Sequence, residues 1–230
     1  MKILALDCSA TAASCAVLEE DSVIASSFVN VKLTHSQTLL PMLENTLSSA
    51  MLSLNDIDAF AINNGPGSFT GIRIGISAVK GMAMPNNIPC VAVSTLYSIA
   101  NMHKNINGVV VAVMDARCNQ VYNAIFKIEN GIITRLCEDR AVLVSDVMAE
   151  LENITDTVYI AGDGAHLFAQ FAQDKANVNI SKEPLKQQNA IGVGLAAQEM
   201  LNKGQSVLAK ELMPFYLRLP QAERELKLKK

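Results

Sequence analysis

Apolar positions along this chain fall into short runs and helical stripes, and the same succession of them occurs twice. In the first half, Ile3 to Leu6 is an unbroken apolar run that stops at Asp7. A turn of small residues follows, then the strand-like run Ser14 to Leu18, the acidic turn Glu19 to Asp21 and a third strand from Val23. In the second half, Val109 to Met114 stops at Asp115. After a polar turn come the strand Gln120 to Lys127, the turn Glu129-Asn130-Gly131 and a third strand from Ile132. Asp7 and Asp115 thus end corresponding strands close to half a chain apart.

The correspondence extends to the helices. Leu39, Leu40, Leu43, Leu47 and Met51 form a stripe that predicts a helix over 36–52, with Pro41 bending its first turns. Its counterpart is Ser145 to Leu151, with Ser145 as the N-cap. Strand 58–62, helix 70–84, strand 89–93 and helix 95–102 then match strand 157–161, helix 164–173, strand 177–180 and helix 189–202. Both halves read βββαβαβα, the ribonuclease-H-like unit, and two tandem copies are the layout of the actin-like ATPase superfamily. The expectation is an α/β protein with an N-terminal lobe over 1–103, a C-terminal lobe over 104–210 and a tail over 211–230 that packs back on the first lobe. One α/β sheet with the same element order is the alternative.

Composition narrows the function classes. With 230 residues, half of them hydrophobic, the chain can bury a large core. A formal charge of −3 gives no general pull toward nucleic acid, so any RNA contact must be local or supplied by a partner. The basic concentration is in the tail, where Arg224, Lys227, Lys229 and Lys230 alternate with Glu223, Glu225 and leucines, as in a solvated helix. Cys8, Cys15, Cys90, Cys118 and Cys137 are scattered, odd in number and never C-x-x-C, which reads as small hydrophobes in a reducing cytoplasm. Asp7 ends the N-terminal apolar run far too early for a signal peptide, and no run approaches a membrane span. A cytoplasmic protein with no membrane contact is expected.

The candidate chemistry centres on Gly65-Pro66-Gly67-Ser68-Phe69-Thr70-Gly71-Ile72-Arg73-Ile74-Gly75, a glycine-rich turn between a strand and a helix. Such turns aim N–H groups at an anion, but this run matches neither G-x-x-x-x-G-K-[ST] nor G-x-G-x-x-G. In actin-like kinases, the turn after the first strand of each half holds phosphate and metal. Asp7 with Ser9, and Asp115 with Arg117, occupy those places, yet neither turn has a glycine to admit a phosphate. Gly162 and Gly164, in Gly162-Asp163-Gly164-Ala165, lie where that superfamily cups adenosine, although a strand-to-helix turn needs glycine anyway. His35, His103 and His166 are isolated, so no metal site is expected, and there is no G-x-S-x-G elbow. Gly71 and Gly75, with Ala78 and Met82 near the same face, form a small-residue seam that admits another helix, either of this chain or of a partner.

Taken together, Gly65 to Gly75, I-L-A-L-D-C-S at 3–9, H-S-Q-T-L-L-P at 35–41, M-D-A-R-C-N-Q-V-Y at 114–122 and P-F-Y-L-R at 214–218 resemble the bacterial TsaB (YeaZ) family over essentially the whole chain. The resemblance implies a relative of TsaD, the subunit that transfers threonylcarbamoyl from threonylcarbamoyl-AMP to N6 of adenosine 37 in tRNAs reading codons that begin with A. TsaD-like proteins carry H-x-x-x-H in the helix after the fifth strand, whereas Val93 to Asn101 here contains no histidine. The resemblance therefore implies a non-catalytic subunit with no cofactor of its own, partnered by TsaD and the ATPase TsaE, reaching tRNA indirectly, and dimeric when alone. ATP or ADP would sit at a shared interface. Partner contacts are expected from Leu39, Leu43 and Leu47 on the first helix, and from Gly71, Ile72, Gly75, Ala78 and Met82 on the second. A kinase-like or peptidase-like enzyme of the actin-like superfamily is the rival expectation.

Overall fold

The computed structural model describes residues 1–218. β1 (Lys2–Asp7) is apolar from Ile3 to Leu6 because both of its faces are covered. It pairs antiparallel with β2 (Ala13–Glu19), which pairs with β3 (Ser22–Val29). On its other side β1 lies parallel to β4 (Ala59–Gly65), followed by β5 (Cys90–Ser94), giving the order β3-β2-β1-β4-β5.

The second half repeats this plan with β6 (Gly108–Asp115), β7 (Gln120–Glu129), β8 (Ile132–Arg135), β9 (Arg140–Leu143), β10 (Val158–Ala161) and β11 (Val178–Ile180). Its order is β11-β10-β6-β7-β8, with β9 also on β7. The strand expected from Ile132 is thus split in two, with residues 136–139 looping out between the parts. Each sheet has antiparallel strands on one side and parallel strands on the other, so the architecture is the tandem actin-like one and not a single sheet.

α1 (His35–Ser49) and α2 (Phe69–Ala83) cover one face of the first sheet. Leu39, Met42, Leu43 and Leu47 carry the buried stripe of α1, whereas Leu40 and Met51 are 53% and 92% exposed, so the stripe is narrower than the sequence pattern suggests. α2 begins at Ser68, whose Oγ accepts the Gly71 N–H at 3.2 Å. In the second half, α4 (Val144–Leu151) and α5 (Ala169–Asp174), the latter entered through a 3-10 turn at Asp163–Phe168, cover the matching face. Ser145 is not the cap expected of it: Leu143 holds that place and Ser145 lies in the first turn.

The remaining helices pack between the two sheets. α3 (Thr95–Asn101) turns Leu96, Ile99 and Ala100 onto Val110, Ala112 and Phe126 of the second sheet. α6 (Ala190–Asn202), which comes last in the second half, lays Ala190, Val193, Ala196 and Ala197 on Ile3, Ala5, Ala16 and Val91 of the first. The two helices approach closely at Gly192, where a Cβ would stand 2.3 Å from the Ser98 carbonyl oxygen. The final helix of each half therefore caps a core that the other half builds. After α6 the chain returns to the first sheet, where Val207 bridges Cys90 and Leu212 is fully buried.

Candidate functional site

The strand ends that carry the sequence-predicted residues meet where the two sheets face each other. Asp7 closes β1 and is buried, with one carboxylate oxygen accepting the Ser9 N–H at 2.8 Å. Burial raises its carboxyl above the usual carboxylate range, and its neighbours only partly offset this by hydrogen bonding. Asp163, in the turn after β10, accepts the Asp115 N–H at 3.3 Å and the Gln188 amide at 3.0 Å. Burial raises its carboxyl too, and the Asp115 and Asp7 charges add repulsion. Asp163 ties together the end of β6 and the approach to α6, a role the sequence did not show because Asp163 stood there only as the residue between Gly162 and Gly164. Around these acids Ser9 Oγ, Asn63 Oδ1 and Gln188 Oε1 are buried without hydrogen-bond partners among the described residues.

The glycines of the candidate phosphate turns serve backbone packing within the chain. A Cβ on Gly67 would stand 2.4 Å from the Ser9 carbonyl oxygen, and the Ser68 N–H donates to that same oxygen at 2.7 Å. The glycine-rich run thus lies against the turn after β1, where a phosphate would otherwise approach. Gly162, at φ 113°, would meet the Val113 carbonyl oxygen at 1.9 Å, and Gly164 would meet the Asp115 nitrogen at 2.9 Å. Asp7, Ser9, Asp115, Gly162 and Gly164 are therefore brought to one end of the sheets. Arg117 is on the exposed side of its turn, which holds Arg117, Cys118 and Asn119 at φ 64°, 53° and 55°.

A strap of C-terminal residues crosses this end of the molecule. The Phe215 N–H donates to the Asn64 carbonyl at 2.8 Å, and Asn64 Nδ2 donates to the Met213 carbonyl at 3.2 Å. Gly65 admits the strap, since a Cβ there would stand 2.1 Å from the Phe215 carbonyl oxygen. Tyr216 stacks on Phe69 with ring centroids 4.7 Å apart, and Arg218 reaches the Ala116 carbonyl of the second lobe at 3.0 Å. The basic stretch at Arg224, Lys227, Lys229 and Lys230 lies outside the described residues. Phe215 also walls a cleft of about 540 Å³ with Ser94, Tyr97, Arg135 and Asp139, in which Asp139 accepts from Ser94 and Arg135, both at 2.5 Å.

The expected partner seam requires correction. Leu39, Leu43, Leu47 and Ile72 belong to the chain's own core. Gly71 and Gly75 face inward: a Cβ on Gly71 would stand 2.1 Å from the Cys8 carbonyl oxygen, and one on Gly75 would stand 2.8 Å from Ile62 Cδ1. Ala78 and Met82 are only partly buried, packed at the edge of that core. Exposed positions are instead Leu40 on α1 and Ser77 and Gly81 on α2, with Leu33 just before α1 and Met84 just past α2. Periodicity found the stripe but could not tell which neighbour covers it.

The histidines are occupied locally. His35 Nε2 lies 2.8 Å from the Ala10 carbonyl, and His166 Nδ1 lies 2.8 Å from the Asp163 carbonyl. His103 Nδ1 donates to the Ile99 carbonyl at 3.0 Å, so its Nε2 accepts from Ser181 Oγ at 2.8 Å. This is the spacing of an activated serine, but both residues are buried and the third position is a carbonyl, not a carboxylate. Among the described residues, no group of three or more His, Cys, Asp or Glu is placed to hold a metal ion.

Known proteins share this arrangement. The family described as TsaD, tRNA N6-adenosine threonylcarbamoyltransferase, matches residues 29–226. The chain is 33% identical over 221 residues to the tRNA threonylcarbamoyladenosine biosynthesis protein TsaB of Escherichia coli (strain K12), covering 95% of each. It is 30% identical over 223 residues to TsaB of Bacillus subtilis (strain 168), covering 97% of this chain and 96% of that one. A crystal structure from Pseudomonas aeruginosa, described as an uncharacterized protein with similarity to peptidase YeaZ, superposes with a TM-score of 0.81 at 29% identity, over 94% of this chain and 99% of that one. Matched over nearly its whole length by TsaB relatives at 30% identity and above, this chain belongs to the TsaB (YeaZ) family of tRNA threonylcarbamoyladenosine biosynthesis proteins.

Proposed function

We propose that this chain is a non-catalytic subunit of the machinery that places threonylcarbamoyl on N6 of adenosine 37 in tRNA, and that it acts by binding a TsaD-like catalytic subunit, together with a TsaE-like ATPase. The observation that carries this reading is the filled phosphate turn. The Ser68 N–H is spent on the Ser9 carbonyl and Gly67 packs against that same oxygen, so this part of the glycine-rich run serves the chain's own turn and not a phosphate. ATP or ADP would then bind at an interface shared with the partner. The partner meets the outward surface of α1 and α2, where Leu33, Leu40 and Met84 are between 53% and 56% exposed. In the absence of TsaD, the same surface pairs two copies of the chain.

The test is capture of TsaD by the purified chain, followed by tRNA modification by the mixture. Gly81→Arg places a charge on this face where an added Cβ meets nothing within 4 Å, so the variant keeps its fold. The expected result is loss of TsaD capture and of modification. Capture equal to wild type by both Gly81→Arg and Leu40→Arg would refute the face, and ATP turnover by the chain alone, lost in Asp7→Ala, would refute the non-catalytic reading.

A further inference from the structure

The chain's overall charge of −3 means that an RNA contact must be built locally, and one edge of the molecule has the parts. Arg73 holds its guanidinium 3.8 Å from the centre of the Phe69 ring, while its Nε donates to the Tyr216 hydroxyl at 2.8 Å. Two residues further along the strap, Arg218 bonds the Ala116 carbonyl and sits 5.8 Å from the centre of the Tyr122 ring. Ala116 is followed by the exposed Arg117, whose guanidinium has no hydrogen bond or ion pair among the described residues. Three guanidinium groups and three aromatic rings therefore run together from α2 across the strap to the β6–β7 turn.

The choice of companions is informative. Arginines that brace this fold pair with carboxylates, as Arg135 does with Asp139 and Arg140 with Glu150. Arg135 lies over the Phe126 ring as well, but Arg73 and Arg218 have rings, a hydroxyl and a carbonyl with no carboxylate among the described residues, which orients each guanidinium without neutralising it. The nearby carboxylate of Asp115 accepts the Arg117 N–H at 2.7 Å. Oriented guanidinium groups without a carboxylate partner among the described residues, beside ring faces, suit a ligand that offers phosphates and unstacked bases together, which is a single-stranded RNA segment. A duplex offers the phosphates but keeps its bases stacked.

We infer that this edge contacts an unpaired RNA loop directly, with backbone phosphates on Arg73, Arg117 and Arg218 and a base against the Phe69–Tyr216 pair. The inference rests on the tRNA-linked reading above and replaces an indirect RNA contact with a direct one.

Fluorescence anisotropy tests it, using the purified chain with a labelled hairpin RNA and with the same stem closed as a blunt duplex. The hairpin is expected to bind more tightly than the duplex, and Tyr216→Ala is expected to weaken hairpin binding about fivefold or more. Arg117→Gln removes an exposed side chain with no hydrogen bond or ion pair among the described residues, and is expected to reduce the slope of log affinity against log salt by about 0.7. Tyr216→Phe retains the ring but loses the hydroxyl that holds Arg73 Nε, and is expected to weaken hairpin binding less than Tyr216→Ala does. Equal affinity for hairpin and duplex, no binding, or an unchanged slope in Arg117→Gln would overturn the inference, as would displacement of the RNA by free ATP at equal concentration. TsaD capture by the same variants is a separate readout. Its retention in Arg117→Gln alongside weakened RNA binding supports the inference, and its loss in wild type would overturn only the partner reading.

Discussion

Two glycines on α2 give opposite expectations for the same substitution. In Gly71→Ala, the new Cβ would stand 2.1 Å from the Cys8 carbonyl oxygen and 2.8 Å from His35 Cδ2. Carbon–oxygen contacts settle near about 3.3–3.6 Å, so α2 and the turn after β1 must separate by roughly an ångström. His35 restrains that turn through its 2.8 Å contact with the Ala10 carbonyl, so the movement spreads into α1. Overpacking of this kind costs about 1–3 kcal/mol, and backbone on the receiving side puts it near the upper end. Helix propensity returns about 1 kcal/mol, leaving a net loss near 2 kcal/mol. Gly81→Ala meets nothing within 4 Å and retains the propensity gain of about 1 kcal/mol. At about 2–4 °C per kcal/mol for a chain of this size, Gly71→Ala should melt roughly 4–8 °C lower and Gly81→Ala roughly 2–4 °C higher. Differential scanning calorimetry on the dilute protein reads both. A Gly71→Ala variant as stable as wild type would refute the inward placement of the seam, and a destabilised Gly81→Ala would refute the open outward face.

Three further outcomes are expected. Burial holds the His103 imidazole below its ordinary pKa, so the unfolded chain binds more protons and stability declines as pH falls from about 6.5 through the folded value. Urea unfolding should show that decline in wild type and a shallower one in His103→Ala, which also loses about 1–3 kcal/mol at pH 8 by orphaning the Ile99 carbonyl and the Ser181 hydroxyl. Asp7→Asn removes a buried charge whose folded pKa is raised, so the wild-type penalty is absent in acid and present at neutral pH. The variant should melt higher at pH 7, with a gain of about 0.5–1.5 kcal/mol if its amide finds Ser9 Oγ or Asn63 Oδ1, and the difference should shrink toward pH 3. Gly192→Leu forces α6 away from the Ser98 carbonyl, and thermal denaturation should show a loss of roughly 2 kcal/mol or more, because both lobes lean on that contact.

Much of the architecture was legible in the order of residues. Strands that end at Asp7 and Asp115, each followed by two more strands and then by alternating helices and strands, mark a repeated unit because apolar runs of strand length and stripes of helical period are local properties. The family motifs were local for the same reason: Gly65, Gly67 and Gly71 stand where backbone comes close to backbone, and such close approaches tolerate no side chain. The split of the third strand in the second half was not legible, because the residues around the loop at 136–139 remain compatible with extended chain.

Sequence alone determined that α2 has a glycine face, that Asp7 and Asp115 end strands in corresponding places, and that the chain resembles the TsaB family. Only the tertiary structure decided what those features face. Gly71 and Gly75 turn toward Cys8 and Ile62 and not toward a partner, α6 crosses to cover β1, and Tyr216 and Arg218 return to join α2 to the β6–β7 turn. The physical reason is common to all three. A stripe, a glycine or an aromatic residue specifies that something must pack against it, whereas the identity of that neighbour depends on where distant segments are carried by the fold.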